Sequence, residues 1–72
     1  MTFNEQIRQV KGLHELIRTK ATGTPDDLSQ RMNISRATVF RRIDDLKNLG
    51  AEIAYDRDRM TYYYLEPYEL LI

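Results

Sequence analysis

The chain has 72 residues, enough for one domain that buries about 60% of the surface its unfolded chain exposes, and too few for a second. It contains no cysteine and a single histidine, His14, which excludes disulfides, a thiolate nucleophile and zinc sites of the Cys/His kinds, so no metal or cofactor is expected. Eleven Lys and Arg against eleven Asp and Glu give a formal net charge of zero, so the whole chain lacks the basic excess that usually marks a nucleic-acid binder.

Phe3, Ile7, Val10, Leu13 and Ile17 recur at steps of four, three, three and four, one face of a helix from about Asn4 to Thr19, with Leu16 widening the face. Ala21-Thr22-Gly23 breaks it. Thr24-Pro25-Asp26-Asp27 then supplies an N-cap, a proline at the first helical position and two acids in the first turn of a second, short helix. Leu28 and Met32 give that helix its buried side, and it stops at Asn33, a residue that tolerates the left-handed conformation.

Ser35 caps a third helix that runs through Leu49 and closes at Gly50. Val39, Phe40, Ile43, Leu46 and Gly50 are assigned to its inner face. Ala37, Thr38, Arg41, Asp45 and Asn48 lie opposite, and Arg36 and Arg42 lie on the flanks. Beyond Gly50 the period shortens to two: Ile53 and Tyr55 alternate with Glu52, Ala54 and Asp56, and Met60 to Leu65 is rich in strand formers. Two strands are expected, joined by a tight charged turn at Asp56-Arg57-Asp58-Arg59, with Pro67 ending the second. Residues 1–66 form one domain on this reading. Residues 67–72 are an apolar tail that packs on the core, pairs with a second chain or marks where a longer protein was cut.

Three helices, the second and third joined by a turn of three to four residues, followed by a two-stranded hairpin, make an α+β winged helix-turn-helix. The stretch Leu28 to Gly50, LSQRMNISRATVFRRIDDLKNLG, resembles the helix-turn-helix of DeoR-type and WYL-associated transcriptional regulators, whose pattern is roughly "eLAe.l.vSr.Tv.Rdi..L...G". Leu28, Ile34, Ser35, Arg36, Thr38, Val39, Arg41, Ile43, Leu46 and Gly50 stand at its fixed positions. The sequence departs from it at Asn33, where the family has glycine, at Arg42, where aspartate is common, and in a hairpin without glycine.

The resemblance implies binding of double-stranded DNA with the third helix in the major groove, and transcription regulation as the role. Physically, Ser35 and Thr38 stand at a helix N-terminus, where hydroxyls and free N–H groups favour phosphate. Arg41, in mid-face, suits a base edge, with guanine O6 and N7 as the usual partners. Arg36 and Arg42 are assigned to phosphates, and Arg57 and Arg59 at the hairpin tip to backbone or minor groove. Residues 31–42 hold four arginines and no acid, so the zero net charge conceals a local excess. Asp45, four residues after Arg41, is placed to pair with it.

His14 reads as a packing residue, and two of the tyrosines as packing on the helices while the others cover the open sheet face. No nucleophile pattern accompanies His14, so no enzyme is expected. The start of the chain lacks a signal-peptide pattern and no apolar stretch approaches the ~20 residues of a membrane span, which points to the cytoplasm. One small neutral module makes few phosphate contacts, so a homodimer on two half-sites is expected. The rival reading is a winged helix that binds an unidentified protein partner and no DNA.

Overall fold

The structure, a computed structural model, describes residues 2–72. Helix α1 spans Phe3–Arg18, capped by the Thr2 hydroxyl, which accepts from the Glu5 N–H (3.1 Å). Val10, Leu13 and Ile17 of the stripe are buried, whereas Phe3 at its start is exposed. The helix ends with Lys20 at φ 56°. There the Ala21 N–H donates to the Leu16 carbonyl (2.8 Å) and the Lys20 N–H to that of Ile17 (3.1 Å), a Schellman closure with lysine where glycine is usual.

Helix α2, Pro25–Met32, opens on a capping box. The Asp27 N–H donates to Thr24 Oγ1 and the Thr24 N–H to Asp27 Oδ2, both at 3.1 Å. Aspartate takes the place that glutamate or glutamine usually fills. The Thr24 backbone N–H, and then its side chain, hold the Asp27 carboxyl below the ordinary aspartate pKa. Gly23, at φ +70°, makes room for this arrangement: a Cβ there would lie 2.7 Å from Asp27 Cβ.

Helix α3, Arg36–Asn48, is capped by Ser35 and closed by Gly50 at φ +107°, with the Ala51 N–H on the Leu46 carbonyl (3.1 Å). Strands β1, Ile53–Asp56, and β2, Thr61–Tyr64, pair antiparallel with Ile53 opposite Tyr64 and Asp56 opposite Thr61. The turn between them lies one residue later than the sequence suggested. The Asp56 carboxylate belongs to β1 and accepts from the N–H groups of Asp58 (2.9 Å) and Arg59 (3.2 Å), an Asx turn. Met60, at φ 53°, occupies the left-handed position for which the sequence offers no glycine.

Leu13 and Ile17 of α1, Leu28 of α2, Val39, Ile43 and Leu46 of α3 and Tyr62 of β2 make one core, and full burial of each aliphatic side chain contributes about 1.5–3 kcal/mol. A buried polar knot ties the α1–α2 connection to β2. The Tyr62 N–H donates to Thr22 Oγ1 (2.8 Å), the Thr22 N–H donates to Thr61 Oγ1 (3.3 Å), and the two hydroxyls lie 3.0 Å apart. On the other side, His14 Nδ1 lies 2.7 Å from the Tyr64 hydroxyl, and its ring packs against those of Tyr64 and Tyr68. Burial, with help from the Tyr68 phenol and Glu15, pushes Tyr64 up to a pKa of about 12. Beyond β2, Tyr68 and Leu70 pack on the core, the Tyr68 hydroxyl donates to the Leu49 carbonyl (3.2 Å), and Leu71 is exposed.

Two residues of α3 depart from their sequence assignment, Arg42 from a flank and Phe40 from the inner face. Arg42 is 6% exposed and Phe40 is 42% exposed. The inner face is Val39, Arg42, Ile43 and Leu46, spaced i, i+3, i+4 and i+7, so the buried stripe includes the arginine and passes Phe40 by.

Candidate nucleic-acid interface

The turn between α2 and α3 is held by side chains as well as by backbone. Asn33 takes φ 55°, and the Ile34 N–H donates to the Ser29 carbonyl (3.1 Å). The Ser29 hydroxyl donates back to the carbonyl of Ile34, while Ile34 packs against the core. This reciprocal pair fixes the angle at which α3 leaves the corner. Ser29 carried no signal in the sequence beyond a polar helical position.

At the start of α3, Ser35 Oγ accepts from the Thr38 N–H (3.1 Å) and lies 2.9 Å from Thr38 Oγ1. The two hydroxyls proposed for phosphate therefore form a linked pair, beside first-turn N–H groups that have no carbonyl to pair with inside the helix. Ala37, Arg41, Asp44 and Asn48 are exposed along the outward face.

The arginines divide sharply. Arg31 Nη1 donates to the Ala21 carbonyl (2.9 Å) and so braces the α1–α2 connection. Arg36 Nε lies 3.2 Å from Asp26 Oδ1, with both side chains more than half exposed, and its guanidinium stands 6.0 Å from the Phe40 ring centroid. Arg42 Nε lies 3.1 Å from Asp45 Oδ2, and Gln6 Nε2 of α1 donates to the same carboxylate oxygen (3.3 Å). Arg42, assigned to a phosphate from sequence, is thus buried and engaged with Asp45 rather than open on the surface. This pairing leaves Arg41 apart. Asp45, expected to hold it, is turned inward by Arg42 and Gln6, and among the described residues Arg41 makes no ion pair or hydrogen bond.

At the hairpin tip Arg57 and Arg59 are both exposed. Arg59 Nε lies 4.0 Å from Asp56 Oδ2, at the limit of an ion pair and of little energetic weight on an open surface. Arg36, Arg41, Arg57 and Arg59 are therefore open to solvent, and Arg42 is not. Asp26, which holds Arg36, and Phe40, which lies under it, were not singled out for this surface in the sequence.

Among the described residues no group of three or more His, Cys, Asp or Glu is placed to hold a metal ion. No helix among them is long and apolar enough to cross a membrane. No curated protein and no solved structure matches the chain. A family model of the HTH domain matches residues 8–64, from the first helix through the last residue of β2. That match supports DNA binding and regulation of transcription as the general function. With three helices, a braced helix-turn-helix corner and an antiparallel hairpin along most of its length, the chain belongs to the HTH domain family.

Proposed function

We propose that this domain binds duplex DNA with α3 in the major groove and regulates transcription in the cytoplasm, in the manner of the DeoR-type and WYL-associated regulators it resembles. The observation that carries the reading is Arg41: on the outward face of α3 it is exposed and unengaged, while the arginine beside it is buried and paired. A guanidinium in that position is free to make a bidentate contact to guanine. Ser35, Thr38 and Arg36 then face phosphates at the α3 N-terminus, where the helix dipole favours anions. Arg57 and Arg59 reach the backbone or minor groove from the wing.

The site offers few cations for a duplex, so a homodimer supplies the remaining affinity by linking two half-sites. The surface for it is the apolar groove of about 420 Å³ between the start of α1 and the end of α3, lined by Phe3, Ile7, Leu49 and Ile72. Fluorescence anisotropy with random-sequence duplex across a salt series tests DNA binding. The reading expects affinity to fall as salt rises, in proportion to the number of phosphates neutralised. Binding that is absent at low salt, or indifferent to salt, removes it. The charge balance and the exposed Asp26 and Asp44 favour a second reading, a winged helix that docks on a protein partner. That reading expects a stable complex with a protein and no salt-dependent DNA binding.

A further inference from the structure

Resting on the proposal that α3 enters the major groove, we propose that Phe40 reads base sequence there by packing on the C5-methyl group of thymine. Three observations converge on it. First, α3 places an aromatic ring in solvent, with Phe40 42% exposed, while Arg42 two residues on occupies the inner face. Exposing a ring forgoes burial that an inward position would have gained.

Second, the ring has a neighbour that restrains it in part. The Arg36 guanidinium stands 6.0 Å from its centroid, at the edge of the range of a cation–π contact, and Asp26 lies 3.2 Å from Arg36 on the same open surface. A ring already restrained in the free protein loses less conformational freedom on binding.

Third, the row that contains it selects what it can touch. Arg36, Phe40 and Asp44 follow one another at i, i+4 and i+8, so they form one ridge along the helix. A phenyl ring offers no donor to a phosphate, and the exposed Asp44 one turn further repels one. Base edges suit both groups. Thymine presents a methyl in the major groove and the amino groups of cytosine and adenine present donors, while phosphates present only negative oxygens. The ridge thus changes from phosphate chemistry at Arg36 to base chemistry at Phe40 within a turn. Ala37, one turn before Arg41, adds no bulk that would hold the helix away from the groove floor.

The test uses duplexes enriched by the wild-type domain from a random pool. Enriched sequences are expected to share a thymine at a fixed step. Replacing it by deoxyuridine, which removes only the methyl, should weaken wild-type binding roughly fourfold, the transfer value of one buried methyl group. The same replacement should leave the affinity of Phe40→Ala unchanged, and Phe40→Gln provides the comparison if the alanine variant fails to fold. Wild-type affinity that does not change with deoxyuridine at every thymine overturns the assignment, as does a loss shared equally by wild type and variant. Absence of any enriched duplex, together with absence of salt-dependent binding, overturns the DNA reading itself and Phe40 with it.

Discussion

Arg41 and Arg42 are adjacent in sequence, and the structure gives them opposite surroundings, the first exposed and the second buried against Asp45. Arg42→Ala removes a guanidinium 3.1 Å from Asp45 and a buried aliphatic stem. Breaking a fully buried pair costs about 3–5 kcal/mol. Asp45 is one-third exposed and keeps the amide of Gln6 as a donor, so the loss here is roughly 2–3 kcal/mol, below that range. A chain of this size is stabilised by about 4–11 kcal/mol in all. At about 4–8 °C per kcal/mol, Tm falls by roughly 10–20 °C. Arg42→Met, which retains the stem, should recover part of the loss. Arg41→Ala removes a solvated side chain, so stability changes by about 0.5 kcal/mol or less, whereas DNA affinity falls by the ~1–3 kcal/mol of a lost base contact. Thermal unfolding by circular dichroism and anisotropy with a fixed duplex, at a temperature where every variant is folded, separate the two effects. The reasoning is refuted if Arg41→Ala lowers Tm as much as Arg42→Ala, or if folded Arg42→Ala loses affinity while Arg41→Ala does not.

Gly23→Ala should destabilise by about 2–3 kcal/mol, combining the left-handed penalty of ~1–2 kcal/mol with loss of a cap worth ~1 kcal/mol. Thermal unfolding reads this, and an unchanged Tm would show that the Gly23–Asp27 contact relaxes freely. The lowered pKa of Asp27 means that its carboxylate stabilises the fold above the ordinary aspartate value, and that this contribution disappears as pH falls through the lowered one. Asp27→Asn should therefore flatten the acid limb of a stability–pH curve. Tyr64 has the opposite sign: its pKa is raised to about 12, so the neutral phenol supports the fold below the ordinary tyrosine value and that support is lost as pH climbs towards 12. Burial raises Tyr62 as well, so an ultraviolet absorbance titration should show two tyrosines ionising late, and Tyr64→Phe should remove one of them.

Elements with strong local chemistry were readable from sequence. Thr24-Pro25-Asp26-Asp27 announced α2 because cap, proline and acids act within one turn, and Asn33 and Gly50 announced two helix ends through their tolerance of positive φ. Lys20 and Met60 also adopt positive φ, and neither was foreseen, since the surrounding closures impose that conformation on residues with no preference for it. The inner face of α3 was misjudged by hydrophobicity alone. An arginine can bury its stem when a carboxylate meets its head, and here the Asp45 carboxylate is held in place by the Gln6 amide of α1, 39 residues away in sequence. Phe40 was then displaced to the surface by the same geometry. Arg41 was identified correctly as an outward residue, but its release from Asp45 depends on that distant glutamine and could not be read locally. Ser29 is similar: its partner is the carbonyl of Ile34 across the corner, a contact that exists only once both helices are placed.

The threonine knot between the α1–α2 connection and β2 sets how the hairpin behaves towards a ligand. Swinging the hairpin away would break the Tyr62 N–H to Thr22 bond and the contact between the two hydroxyls, at about 0.5–1.5 kcal/mol for each hydrogen bond given up. The hairpin is therefore a fixed jaw rather than a trailing arm. On the proposed mode of binding, Arg41 on α3 and Arg57 at the tip would meet a duplex from one braced unit.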